Sequence, residues 1–409
     1  MTTARFLNPK IVAVAGLAML LVGGQAFAQP TYSVDVQGPT FGSGTITGSD
    51  ILTPIGPGTV PPPAVAVPGF AIGVFPTSVG FDELDALSYG KDPLIRNQPN
   101  LLYDWSFSVD EFAVGQPSVP APSVSSEGAF GAGEASADIY SSVTPAGPLP
   151  IFFGGNTGLF DGNGGATPFL APGLNLVEPN PPTPFTFADP GDNLDAWDID
   201  SPPPAPQLGT VFTTPIYYSL DSHFPDPLEV VPPYNTGTAL SNGFVGGDVL
   251  ISTIAGVAPT VYASAASLGL DFAGTDTDDL DALVLWDNGD GIYQPTNGPY
   301  SWAVAGGTDM LLFSVRRGSA LIGTIDAILG KPIEEGDILV PFAFSTPGIF
   351  IPAEAIGLAT LRTNGAVGTF QGFGDDLDGL DVIERVVPEP TTLALAGMGL
   401  AGVLWRRRR

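Results

Sequence analysis

Short apolar runs alternate with stretches rich in glycine, proline and polar residues along most of the chain. Segments such as Asp138-Ile139-Tyr140, Val261 to Ala263 and Ile349 to Ile351 are too short for helices, and they carry residues typical of strands. The 53 glycines and 43 prolines among 409 residues break helix interiors, which excludes a helical bundle. The pattern predicts an all-β body of many short strands joined by turns.

The first 28 residues follow a different pattern. They contain, in order, basic Arg5 and Lys10, an apolar run from Ile11 to Val22, and the small residues Ala26 and Ala28. This order is typical of a secretory signal with its cleavage site. We therefore expect a signal helix within 1–28, cleavage by signal peptidase after Ala28, and a mature chain that begins at Gln29. A retained N-terminal membrane anchor is the alternative.

One hexapeptide pattern occurs four times in the body. The copies are Asp82-Glu83-Leu84-Asp85-Ala86-Leu87, Asp192-Asn193-Leu194-Asp195-Ala196-Trp197, Asp278-Asp279-Leu280-Asp281-Ala282-Leu283 and Asp375-Asp376-Leu377-Asp378-Gly379-Leu380. Chance does not readily produce four such copies, so the pattern indicates an internal repeat.

Three further patterns recur between the hexapeptides, always in the same order. An aromatic-Ser-aliphatic segment occurs as Tyr32-Ser33-Val34, Phe107-Ser108-Val109, Tyr218-Ser219-Leu220 and Phe313-Ser314-Val315. An acid-led segment occurs as Asp50-Ile51-Leu52, Asp138-Ile139-Tyr140, Asp248-Val249-Leu250 and Asp337-Ile338-Leu339. Apolar runs follow at Ala64 to Val67, Ile151 to Phe153, Val261 to Ala263 and Ile349 to Ile351. These landmarks predict four units of about four strands each, at about 30–100, 101–207, 208–304 and 305–387.

Four units of four strands favour a β-propeller. The chain enters at an aromatic-Ser strand and leaves at an Asp-Leu-Asp strand, so we expect the two ends to share the first blade and close the ring. Proline-rich stretches such as Pro61-Pro62-Pro63 and Pro202-Pro203-Pro204 explain the unequal unit lengths, because proline does not fit in central strands. Tandem β-sandwiches built from the same segments are the alternative.

Composition limits the chemistry of this body 29–387. The body has 7 basic and 41 acidic residues, and its formal net charge of −34 should repel nucleic acid and anionic lipid. The absence of cysteine excludes disulfides and thiolate metal sites, and the single histidine excludes centres with several histidines. The acidity is compatible with cation binding. The alternative is that it only keeps an exported protein soluble.

The densest acidic cluster consists of Asp276, Asp278, Asp279 and Asp281. Calcium prefers six to eight oxygen ligands on closely spaced carboxylates and carbonyls, so we expect a Ca²⁺ site here. The stretch Asp287-Asn288-Gly289-Asp290-Gly291 offers similar ligands. Neither stretch has the closing glutamate of an EF-hand loop. The alternative is that these aspartates cap turns and recur because the fold recurs.

No catalytic arrangement is evident in the sequence. The pattern Gly-Xaa-Ser-Xaa-Gly is absent. Carboxylates are so numerous that a glycosidase pair cannot be selected by spacing. Trp197, Trp286 and Trp302 are candidates either for stacking on sugars or for filling a β core. The sequence favours a non-catalytic protein that binds exopolysaccharide or calcium, over an exported carbohydrate-active enzyme or a passive structural spacer.

The C-terminal segment 388–409 has three parts. Pro388-Glu389-Pro390 precedes an apolar stretch, 391–405, and Arg406 to Arg409 follow it. This predicts a short membrane helix with a basic stop. The segment resembles the PEP-CTERM sorting signal of Gram-negative bacteria. The resemblance implies processing by an exosortase near the tripeptide, transient contact with the inner membrane, and delivery to the cell surface or the biofilm matrix of exopolysaccharide.

An ordinary C-terminal membrane anchor is the alternative for this segment. The body itself resembles uncharacterised exported bacterial proteins that carry Asp-Leu-Asp-Ala-Leu repeats. That resemblance implies no activity.

Overall fold

The computed structural model shows four four-stranded antiparallel sheets arranged as a four-bladed propeller. It describes residues 30–35, 38–40, 46–55, 63–74, 82–89, 102–110, 113–117, 119–128, 134–145, 155–164, 173–178, 191–199, 215–221, 237–295, 308–342, 345–364 and 372–381. The predicted all-β propeller is confirmed, and the sandwich alternative is wrong. The predicted signal helix in 1–28 and membrane helix in 391–405 lie outside the described residues.

The strands follow the repeated landmarks closely. Blade 1 consists of β1 (Thr31–Tyr32), β2 (Ile51–Thr53), β3 (Ala64–Val67) and β16 (Leu380–Asp381). Blade 2 contains β4 (Ala86–Ser88), β5 (Leu102–Ser108), β6 (Ile139–Pro145) and β7 (Asn156–Phe160). Blade 3 contains β8 (Ala196–Ile199), β9 (Ile216–Ser219), β10 (Val249–Ser252) and β11 (Thr260–Ala263). Blade 4 contains β12 (Leu280–Trp286), β13 (Met310–Val315), β14 (Ile338–Phe342) and β15 (Ser345–Ile351).

The outer strand of blade 2 begins later than the sequence indicates. The apolar run Ile151 to Phe153 predicts this strand but lies outside the described residues, and the outer strand that the structure describes, β7, runs from Asn156 to Phe160. Leu159 and Phe160 supply its buried apolar side chains, and Phe160 pairs with Ile139 of β6. The hydrophobic signal of these two residues lies between glycines, which hides it in the sequence.

The remaining regular elements are single helical turns. They are the α-helices Val124–Glu127, Thr238–Asn242, Ala265–Leu268, Ala353–Ile356 and Leu361–Asn364, and the 3-10 helices Gly69–Ala71 and Ala135–Ala137. Two of these turns end at a glycine between aliphatic residues, in Leu268-Gly269-Leu270 and in Ile356-Gly357-Leu358, and the φ angles of +88° and +95° at Gly269 and Gly357 favour glycine. In the described part of the chain, none of the helices has the length and hydrophobicity needed to span a bilayer.

Strand β16 closes the ring between the two ends of the chain. Its residues Leu380 and Asp381 pair antiparallel with Tyr32 and Thr31 of β1. The fourth hexapeptide has Gly379 where the other three have alanine, and a Cβ there would lie 2.5 Å from Ser33 Oγ. Glycine therefore permits the close approach of the last strand to the first.

Strands β4, β8, β12 and β16 are the innermost strands, and they contact one another around the axis. Apolar side chains fill the spaces between neighbouring blades. Phe160 of blade 2 packs edge-on against Trp197 of blade 3, with ring centroids 6.0 Å apart. Burial of such side chains supplies the main stabilisation of the fold.

A ring of four hydrogen bonds joins each blade to the next. In every blade the serine of the aromatic-Ser segment donates through Oγ to the carbonyl oxygen of the hexapeptide leucine in the following blade. The pairs are Ser33 to Leu84 (2.7 Å), Ser108 to Leu194 (2.8 Å), Ser219 to Leu280 (3.0 Å) and Ser314 to Leu377 (2.7 Å). All eight residues are fully buried. This ring explains why the two sequence patterns recur together.

We predict that Ser219→Ala lowers the free energy of unfolding by about 1–3 kcal/mol, because it leaves the buried Leu280 carbonyl oxygen without its hydrogen bond. Ser241→Ala is the matched control, since Ser241 is exposed on a short helix. Urea unfolding of both variants measures the difference. Equal losses in the two variants would show that the ring does not contribute to stability.

We also predict that the body folds without residues 388–409 but not without residues 375–409. The longer deletion removes the fourth hexapeptide and β16, and so opens blade 1 at its innermost strand. Thermal unfolding followed by circular dichroism compares the two truncations. A cooperative transition in the longer truncation, at the temperature of the shorter one, would contradict ring closure by β16.

Candidate functional site: an acidic centre on the propeller axis

The repeats bring acidic side chains to the axis from every blade. The fourth residue of each hexapeptide lies at or just before an innermost strand, and these residues are Asp85, Asp195, Asp281 and Asp378. The residue after each aromatic-Ser-aliphatic segment donates its backbone N–H to the carbonyl of the second hexapeptide residue. These donors are Asp35, Asp110, Asp221 and Arg316. Three blades therefore present aspartate where blade 4 presents arginine.

The first hexapeptide aspartates have a structural role. Asp192 accepts hydrogen bonds from the backbone N–H groups of Val177 and Thr238. Asp375 accepts from those of Thr40 and Ala359. Each carboxylate thus joins the connection from the preceding blade to a loop of its own blade.

The aspartates of the acid-led segments are also structural. Asp248 accepts from the backbone N–H groups of Ala265 and Val245, and Asp337 accepts from those of Ala353 and Glu334. Asp50 does the same with Gly69 and Thr47. Counted from the innermost strand of a blade, these contacts cap the turn before the third strand and fix the segment that follows the fourth strand. Their recurrence follows from the recurrence of the fold.

Asp195, Asp221 and Asp279 form a compact group in the centre. One carboxylate oxygen from each residue lies within 4.8 Å of those from the other two, and all three residues are buried. Asp195 directly precedes β8, Asp221 follows β9, and Asp279 directly precedes β12. The group therefore spans blades 3 and 4.

Two arginines supply positive charge around this centre. Arg316 Nη1 lies 3.0 Å from Asp221 Oδ1 and 3.7 Å from Asp279 Oδ2. Arg317, which is fully buried, forms an ion pair with Asp35 and lies 3.8 Å from Asp376 Oδ2. The carboxylates of the axis outnumber these two guanidinium groups.

Several buried oxygens of the centre have no hydrogen-bond partner. They are Oδ2 of Asp195, Asp281 and Asp378, Oδ1 of Asp376 and Oδ1 of Asn193. Asn193 Nδ2 donates to Asp195 Oδ1 over 3.3 Å, so the orphan amide oxygen adjoins the three-aspartate group. Buried carboxylates are normally paired or bound to metal, and these orphan oxygens therefore point to a missing partner.

Burial changes the acidity of this centre. Desolvation raises the pKa values of Asp195 and Asp279 well above the usual range, and the neighbouring Asp221 adds to both shifts. Burial likewise raises the pKa of Asp376 to about 7, although Arg317 acts in the opposite direction. The charged forms of these groups are therefore unfavourable unless a cation compensates them.

The structure separates the four aspartates that the sequence singled out as a Ca²⁺ site. Asp278 accepts hydrogen bonds from the N–H groups of Asp271 and Leu321, and Asp276 accepts from that of Gly246. Asp281 lies near Asp376. Burial raises the pKa of Asp281 well above its usual range, and the charge of Asp376 adds to this shift. Of the four, Asp279 alone belongs to a group with metal-compatible geometry among the described residues.

The second stretch proposed from the sequence is a loop closed by its own aspartates. Asp287 accepts from the backbone N–H groups of Gly289 and Gly291 and from the Tyr217 hydroxyl. Asp290 accepts from the N–H of Ile292. These contacts explain the residues Asp287–Gly291 as a turn.

A second acidic group lies in blade 2. Asp138, Asp161 and Glu178 each place a carboxylate oxygen within 4.8 Å of the others. Burial raises the pKa of Glu178 to about 8. The oxygens of Asp138 accept from the Gly162 N–H and the Tyr140 hydroxyl. No orphan oxygen is found in this group within the described ranges.

Sequence reasoning missed Asp195 and Asp221 as members of the axial group. A signal was present, because Asp221 occupies the position after an aromatic-Ser-aliphatic segment and Arg316 replaces aspartate there in the fourth copy. Trp197 is fully buried and belongs to the core, so it does not offer a platform for sugars. Trp302 lies outside the described residues.

Comparison with protein families identifies the C-terminal segment. A family model described as the PEP-CTERM protein-sorting motif matches residues 386–409. This confirms the predicted sorting signal, and it defines an exported protein that is sorted by an exosortase and destined for the cell envelope or surface. Comparison with curated proteins and with solved structures finds no match. The resemblance of the body to other repeat proteins stays a prediction.

We predict that, in a chelating buffer, the free energy of unfolding increases as the pH falls from 8 to 5. An aspartate in the unfolded chain has a pKa near 3.8, whereas that of Asp376 in the folded protein is about 7. The folded state therefore binds a proton that the unfolded state does not, and proton binding stabilises it. Urea unfolding at several pH values measures this slope.

The variant Asp376→Asn should reduce the slope by up to about 1.4 kcal/mol per pH unit, the value for one proton. Asp290→Asn is the control, because Asp290 lies in an exposed loop away from the axis. If the free energy of unfolding of Asp376→Asn changed with pH as it does in the wild type, the Asp376 carboxyl would not titrate between pH 8 and pH 5.

Proposed function

We propose that this protein is a non-catalytic component of the cell surface or extracellular matrix whose propeller binds divalent cations. The observation that carries the proposal is the sorting motif on a propeller with uncompensated carboxylates at its axis. The motif supplies the address, and the acidic centre supplies a ligand class. Calcium is the cation that suits such an all-oxygen site outside the cell.

The use of the repeated polar residues supports a structural role. The serines of the aromatic-Ser segments join the blades, and the first hexapeptide and acid-led aspartates fix loops. A nucleophile with a base and an orienting group is not found among these residues. The recurring residues thus explain the fold and leave the axial carboxylates for binding.

The blade 2 group is the place where an exported carbohydrate-active enzyme would have its acids. A raised pKa of Glu178 suits a general acid. However, Asp138 already accepts two hydrogen bonds, and Asp161 accepts one from the Gly164 N–H. These contacts support a structural reading of the group.

The position of the closing strand is compatible with processing. Strand β16 ends at Asp381, and the tripeptide begins at Pro388. Cleavage near the tripeptide would leave all four strands of blade 1 in the product. A matrix of acidic exopolysaccharide would then share bound cations with the acidic propeller, and we propose this as the setting in which the protein acts.

We predict that the exported protein lacks its last residues, and that replacement of Pro388-Glu389-Pro390 by alanines prevents the removal of this tail. We expect the exosortase to recognise the tripeptide, which lies beyond the last strand of the propeller. Mass spectrometry of the C-terminal peptide from surface material measures the outcome. Replacement of Pro202-Pro203-Pro204 by alanines is the matched control. Mature surface protein that still ends at Arg409 would overturn the proposal.

A further inference from the structure

We propose that Asp195, Asp221 and Asp279 bind one calcium ion that links blades 3 and 4 at the propeller axis. This assignment deepens the proposed cation binding and rests on it. It replaces the local cluster around Asp278 by residues from three separate segments, which the packing of blade 4 against blade 3 brings together.

The geometry of the three carboxylates fits a calcium ion. Calcium–oxygen distances are about 2.3–2.6 Å, so oxygens on opposite sides of the ion are roughly 5 Å apart. One oxygen from each aspartate lies within 4.8 Å of the other two. A single ion between them would therefore contact all three carboxylates.

Orphan oxygens supply a second and independent argument. Asp195 Oδ2 is buried without a hydrogen-bond partner, and the whole residue is only 5 % exposed. Asn193 Oδ1 is equally orphaned, and its amide group contacts Asp195. A cation bound by Asp195 would supply the missing partner of its carboxylate, and Asn193 is a neighbouring amide that could add an oxygen ligand. Calcium commonly combines carboxylate and amide oxygens in this way.

The donor set selects a hard cation. The site offers oxygens alone, and the chain has no cysteine and one histidine. Oxygen-only sites suit calcium or magnesium more than zinc or copper. Carboxylates from two blades form an irregular shell, which calcium accepts more readily than magnesium does.

Arg316 gives the site a built-in competitor. Its Nη1 lies 3.0 Å from Asp221 Oδ1, where it supplies one positive charge to a group of three carboxylates. A divalent ion must approach against this charge. Removal of the guanidinium should therefore strengthen calcium binding, an effect that a purely structural cluster would not produce.

The test is calorimetric titration of the exported, processed protein with CaCl₂ at constant ionic strength, together with thermal unfolding in calcium and in NaCl. We expect a dissociation constant on the order of 10⁻⁴–10⁻³ M and a melting temperature that rises with calcium more than with NaCl. The double variant Asp195→Asn, Asp279→Asn should bind at least about 10–100-fold more weakly. Asparagine retains the volume of aspartate and one of its acceptor oxygens, and it removes the negative charge. Repulsion among the carboxylates is therefore relieved, and the metal-free variant should unfold no earlier than the wild type.

Two further variants keep the assignment falsifiable. Arg316→Gln should bind calcium several-fold more tightly than the wild type. Glu178→Gln, in the blade 2 group, should bind calcium as the wild type does. If calcium has no effect on the wild type, both the assignment and the proposed cation binding fail. If calcium binds equally to the double variant, or if binding is lost in Glu178→Gln, the axial assignment alone fails.

Discussion

The fold depends on one hydrogen bond that occurs four times. In each case the serine hydroxyl of one blade donates to the leucine carbonyl oxygen of the next blade. The hexapeptide leucine precedes or begins the innermost strand, so its carbonyl is buried near the axis and needs a donor. The serine supplies this donor from the neighbouring blade. Because the fourth pair joins blade 4 to blade 1, the contacts form a closed ring. That ring fixes the position of every residue beside the leucine.

The acidity of the axis is a consequence of this ring. Aspartate follows each of the four leucines, and an acidic residue also precedes three of them. The four repeats therefore gather acidic side chains in a small buried volume. Arg316 and Arg317 break the repeat pattern, and in the described part of the chain they place two positive charges beside the acidic residues of the axis. They compensate part of the negative charge. The remaining deficit in positive charge is the basis of the proposed cation binding.

Ring closure also joins the two ends of the body. The first three strands of blade 1 come from the start of the body, and the fourth, β16, comes from its end. The propeller cannot close until residues 375–381 are available, and the sorting segment follows a few residues later. An open blade exposes strand edges. Closure of the ring therefore requires nearly the whole body, up to Asp381.

The sequence alone determined the strand repeats, the propeller, the shared first blade and the sorting signal. These follow from local patterns, since each strand and each signal is contiguous in the chain. The outer strand of blade 2 was misplaced because Leu159 and Phe160 form a weak local signal beside glycines. The calcium hypothesis selected Asp276, Asp278, Asp279 and Asp281 because they are adjacent in sequence, yet backbone N–H groups engage Asp276 and Asp278. Only the tertiary structure placed Asp195 and Asp221 beside Asp279, because side chains about 60–85 positions apart meet only after blade 4 has packed against blade 3.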